Sequence, residues 1–150
     1  MKIRFINTET EIEKNLTDLR LLKVNVDGFT FFGEPSTYEV KCMILLDGDE
    51  YHIAHHCPWN DFMFEKLEKM LPVVEVEAKT EFDFDNSAYG NPDSGFSKST
   101  VTNEYKYLIG AAINNNNESY WFVNKKTARK IGIADKKCSR RAFFIEAVQP

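Results

Sequence analysis

Residues 74–85 read VEVEAKTEFDFD, an alternation with no break in it. Val74, Val76, Ala78, Thr80, Phe82 and Phe84 fall on one face of an extended strand, and Glu75, Glu77, Lys79, Glu81, Asp83 and Asp85 fall on the other, the period-two pattern of a half-buried strand. One face is therefore a core wall. The other is an acidic ladder of five carboxylates and one ammonium, with same-face neighbours ~6.8 Å apart. Such an array calls for cationic groups opposite it, from inside the molecule or from a partner.

A chain of 150 residues, 43% of them hydrophobic, can bury one sizeable core, so a single domain is expected. Nothing approaches 18 consecutive apolar residues, and residues 1–14 turn polar before a signal-peptide core could form, which points to a cytoplasmic protein without a membrane partner. Cys42, Cys57 and Cys138 are too few, and odd in number, for a disulfide framework, so free thiols are expected. The net charge of −4 is unevenly spread. Residues 1–100 hold 10 Lys+Arg against 19 Asp+Glu, a net −9, whereas residues 101–150 hold 9 against 4, a net +5. Either the two parts neutralise each other in the fold, or each serves a partner of opposite charge.

Residues 2–6 read as an opening strand, and Thr8 with Glu11 reads as a capping box for a short helix carrying Ile12, Leu16 and Leu19. Asp27-Gly28 and Asp47-Gly48 are two-residue turn signals, predicting hairpins over residues 22–32 and 38–57. Pro58 opens a helix with Trp59, Met63, Leu67, Met70 and Leu71 as its apolar stripe, and Pro72 stops it. Residues 86–99 lack periodicity and form a long loop holding Tyr89 and Phe96 as contact candidates. Residues 101–113 form a long strand expected to pair with the acidic one. Residues 119–123 continue the meander, Asn124 caps a helix over residues 125–131 closed by Gly132, and residues 142–148 are the final strand. The predicted fold is α+β: a largely antiparallel, meandering sheet of about seven to nine strands with two or three short helices on one face.

Three clusters could carry chemistry. Cys42, His52, His55, His56, Cys57 and Cys138 are metal-ligand types, but they match no zinc-finger spacing, and Cys42 sits among apolar residues as a small hydrophobe would. A cysteine nucleophile at Cys57 would find only His55 on its own strand face. Glu81, Asp83 and Asp85 could hold a divalent cation for a hydrolase, although such sites usually draw ligands from several elements. Lys125, Lys126, Arg129, Lys130, Lys136, Lys137, Arg140 and Arg141 place eight cations in seventeen residues, a candidate phosphate-contacting patch.

No metal, cofactor or catalytic set is favoured by this pattern. The leading expectation is a non-enzymatic interaction or inhibitor protein of a phage or mobile element. Its acidic face, with Glu75, Glu77, Glu81, Asp83 and Asp85 and the loop residues Tyr89 and Phe96, would mimic nucleic acid and occupy a basic groove on a nucleic-acid-processing protein. The alternatives are a nucleic-acid-binding protein using the basic segment and a metal-dependent hydrolase at Glu81, Asp83 and Asp85.

Overall fold

Eleven elements and one 3-10 turn make up the described chain, residues 2–6, 11–29, 35–54, 56–83, 105–114 and 117–149 of a computed structural model. The strands are β1 (Lys2–Ile6), β2 (Glu11–Asn15), β3 (Leu19–Phe29), β4 (Pro35–Asp47), β5 (Glu50–Ala54), β6 (Val73–Asp83), β7 (Tyr105–Asn114), β8 (Asn117–Asn124) and β9 (Lys137–Gln149). The helices are α1 (Pro58–Leu67) and α2 (Lys125–Ile131), and the 3-10 turn Leu16–Asp18 joins β2 to β3. All nine strands belong to one sheet, in the order β2-β1-β9-β5-β4-β3-β6-β8-β7.

A sheet-dominated fold with two or three helices was expected; two are present among the described residues, but the sheet is mixed rather than largely antiparallel. β6 runs parallel to β3, from Leu21↔Val73 to Asp27↔Lys79, and β9 runs parallel to β5, from Glu50↔Lys137 to Ala54↔Phe143. Turn residues announce only local connections. A parallel pair needs a long crossover, and here the crossovers contain α1 and α2. The helices also lie on opposite faces instead of sharing one. Neighbouring residues of a strand point to opposite sides. Leu21, Met43 and Leu45 pack with Met63, Phe64 and Leu67 of α1, while Leu22, Val24, Cys42 and Ile44 belong to the cluster that contains Ala128 and Ile131 of α2.

Three local expectations also change. Residues 11–15 are not helical: their alternation lets them pair as β2 with β1, from Lys2↔Asn15 to Ile6↔Glu11, and tertiary pairing outweighs the helical spacing of Ile12 and Leu16. Asp27-Gly28 is no turn, because β3 runs straight through it with Asp27 opposite Thr37 and Gly28 opposite Ser36. The antiparallel neighbour of β6 is β8, and β7 pairs with β8 at the edge. The second hairpin is as expected, with Asp47 opposite Glu50 and Gly48 at φ 61, a left-handed conformation in which glycine has no Cβ to clash.

Both ends of the sheet fold back over it, in opposite directions. β7 returns toward β4 and β5, so that the Tyr51 hydroxyl donates to the Leu108 carbonyl at 2.8 Å. This encloses the larger core, including Leu22, Val24, Ile44, Ile53, Ile109 and Trp121. At the other end Lys14 on β2 reaches Asp47 on β4 at 2.9 Å, although β1, β9 and β5 stand between them in the sheet order. The smaller core, with Leu16, Leu45, Phe64, Phe143 and Ile145, lies there beneath α1.

Candidate interaction surfaces

β6 carries the acidic ladder as an interior strand, with Val76 and Ala78 buried and Glu75, Glu77 and Lys79 exposed on the opposite face. Its first half is matched from inside the molecule. In the parallel register Lys23 stands beside Glu75, Asn25 beside Glu77 and Asp27 beside Lys79, and the Asn25 amide donates to Glu77 Oε1 at 3.4 Å. The Lys79 ammonium lies 4.7 Å from the centre of the Tyr105 ring. Across β3 the same face continues with Thr37, Glu39 and Lys41 of β4, so this end of the ladder is a mixed polar surface.

The second half differs. Pairing with β3 ends at Lys79, and β8 brings Tyr120 opposite Glu81 and Glu118 opposite Asp83. The register therefore sets Glu118 beside Asp83 and the fully buried Tyr120 beside Glu81, with no cation at either position. Glu118 is a candidate that strand periodicity alone could not find, since only the pairing of β8 with β6 brings it there. The side chains of Glu81, Asp83 and Glu118, and the whole of Asp85, Tyr89 and Phe96, lie outside the described residues, as does the 86–99 loop. Among the described residues no three His, Cys, Asp or Glu side chains are placed to hold a metal ion.

The basic segment is divided by the fold. α2 is anchored inward by Ala128 and Ile131, capped by Asn124, whose side chain accepts from the Thr127 N–H at 2.9 Å, and ended by Gly132 at φ 90. Lys125, Lys126, Arg129 and Lys130 are thereby held outward and exposed. Lys136 instead donates to the Gly48 carbonyl, and Lys137 stands in register with Glu50, so both serve the β4–β5 turn. Arg140 and Arg141 lie on β9 rather than in a turn, and their side chains are outside the described set. Glu118 and Lys125 sit at opposite ends of β8, about 20 Å apart at the rise of a strand. α2 lies on the sheet face opposite Glu75 and Glu77, and among the described residues no ion pair joins its four cations to a carboxylate.

The cysteine and histidine cluster is divided, with Cys42 and His56 lining one cleft and His52 on the other face. No disulfide joins the three cysteines, and burial pushes the Cys42 thiol up to about 12, with the charge of Asp61 adding to the effect, so it is no nucleophile near neutral pH. His52 points to the other face, where its ring meets Phe143 edge-on at 4.7 Å and its Nε2 lies 3.0 Å from Asp47. His56 packs against Trp121 at the mouth of a cleft also lined by Cys42, Asn60, Asp61 and Gly110, with room for about one water molecule. His55 lies outside the described residues.

α1 holds two further residues that the apolar stripe misassigned or missed. Trp59 is half exposed rather than core, with its indole N–H donating to the Ile145 carbonyl at 2.8 Å. Asn60 is 2% exposed and bonded to β9 at two points. No protein-family model, curated protein or solved structure matches this chain.

Proposed function

We propose that this is a non-enzymatic interaction protein whose acidic surface at the end of β6 and the start of β8 occupies a basic, nucleic-acid-binding groove on another protein. The observation that carries the reading is the register that sets Glu118 directly opposite Asp83, beside Glu81, with no cation opposite. Like charges directly opposite one another destabilise a sheet, so the arrangement is explained by an external cationic surface better than by the fold's own stability. The acidic surface would act as a nucleic-acid mimic, the strategy of an inhibitor encoded by a phage or mobile element.

The test uses Asp83→Lys, which turns a like-charge pair into an opposite-charge one. It should leave the melting temperature unchanged or raised and abolish binding. Proteins captured from a bacterial lysate by the parent should be released by added duplex DNA and by salt, as the screening length falls from ~30 to ~8 Å. Captured proteins that ignore DNA, or that bind Asp83→Lys equally well, would overturn the proposal.

A further inference from the structure

We infer that the outer face of α2 is a second, independent binding surface, and that it takes the phosphate backbone of a nucleic acid without reading its sequence. Lys125, Lys126, Arg129 and Lys130 are all exposed, and they form two i, i+4 pairs of like charge, Lys125 with Arg129 and Lys126 with Lys130. Each such pair disfavours the helix. Lys125 and Lys126 also occupy the first turn, where the helix dipole disfavours cations, and that turn holds no carboxylate. Local stability thus accounts for neither feature, whereas an anionic partner accounts for both.

The chemistry of the face selects among anionic partners. Its outward side chains are all cationic, with no exposed apolar group among them, whereas protein interfaces have cores depleted of charge and of lysine. Nucleic-acid interfaces are polar and strongly positive. A membrane would also attract the cations, but lasting attachment to lipid needs a second signal, such as inserted apolar side chains or a lipid chain. The helix has 7 residues, about 10 Å of length, too little to read a run of bases in a groove yet enough to span neighbouring phosphates. Measured along β8, Lys125 at the start of α2 is about 20 Å from Glu118, more than twice the screening length of ~8 Å at physiological salt. The inference stands whether or not the acidic surface binds a protein.

The test is fluorescence anisotropy of a labelled duplex of mixed sequence with the full chain, between about 20 and 200 mM salt. Four phosphate contacts predict a slope of log affinity against log salt of about −3.6, indifferent to duplex sequence. Lys125→Glu with Lys126→Glu should bring the slope to about −1.8 and weaken low-salt binding more than tenfold. The pair should not unfold the chain, because glutamate suits the first turn of a helix. Lys66→Glu with Lys69→Glu makes the same change in net charge on exposed residues of and beside α1 and should leave the slope unchanged. The inference is overturned if the parent does not bind, if the two double variants lose equally, or if anionic-lipid vesicles or polyglutamate bind as well as DNA at equal charge.

Discussion

Asn60→Ala should be among the most damaging single substitutions in this chain, for a reason unrelated to hydrophobic volume. β5 covers one side of β9 only as far as the pair Ala54↔Phe143. Beyond it, the Asn60 amide donates from Nδ2 to the Phe143 carbonyl at 3.1 Å, and its Oδ1 accepts from the Ile145 N–H at 3.2 Å. A side-chain amide carries the same donor and acceptor as a peptide group, so one helical residue stands in for the missing strand. Removing it withdraws two bonds in a site closed to water, each worth about 1–3 kcal/mol when its partner is left buried, for a combined loss of about 2–6 kcal/mol. Unfolding entropy of roughly 0.3 kcal/mol/K for a chain of this size converts that into a fall of about 6–20 °C in melting temperature, read by circular dichroism or calorimetry. Asn60→Asp keeps the shape but sets a carboxylate oxygen against the Phe143 carbonyl. That carboxyl would be held protonated in the fold, so its variant should be nearest to the parent at low pH and should lose stability as pH rises through the raised value. A melting temperature for Asn60→Ala within about 2 °C of the parent, or an Asn60→Asp deficit that does not grow with pH, would refute the reasoning.

Gly110→Ala should destabilise the chain as well, because a Cβ at that position would lie 2.7 Å from Trp121 Cε3 and 3.1 Å from Cys42 Sγ, neither of them the end of a flexible chain; the expected cost is about 1–3 kcal/mol. Unchanged denaturant midpoints would show that β7 can shift away from β4 freely. Asp47 is held below its ordinary value of 3.8 mainly by the hydrogen bond from Lys14 and then by that from His52. A depressed carboxylate contributes stability above its unfolded value and loses it as pH falls through the folded one, so the parent should be more stable than Asp47→Asn at pH 6 and this advantage should close below about 3.8. An advantage that persists undiminished at pH 2 would mean that the charge of Asp47 is not its source.

The sequence made legible what depends on neighbours. The alternation of residues 74–85 identified the acidic strand as far as Asp83 and, over residues 74–79, its buried side. Asp47-Gly48, Pro58 and Asn124 with Gly132 marked a hairpin and the two helices, since each signal is a backbone preference satisfied within a few residues. Long-range pairing was not legible. Asp27-Gly28 has turn chemistry, yet eleven residue pairs between β3 and β4, from Leu19↔Leu45 to Phe29↔Pro35, outweigh it. Glu118 became part of the acidic surface, and Lys23 its neutralising neighbour, only through a register that no local pattern encodes. Nothing local marked Asn60, because its partner strand lies more than eighty residues away.

The place of β9 has a consequence for how the molecule comes into being on the ribosome. Of the nine strands it is the last to be synthesised, yet it stands between β1 and β5 and joins the first two strands to the rest of the sheet. Until residues 137–149 emerge, the β1–β2 hairpin has no strand to dock against, and β1 and β5 each present an unpaired edge to the surroundings. Unpaired edges are where nascent chains pair wrongly with one another. Final assembly thus waits on the last strand, which must enter between two waiting edges, parallel to one and antiparallel to the other.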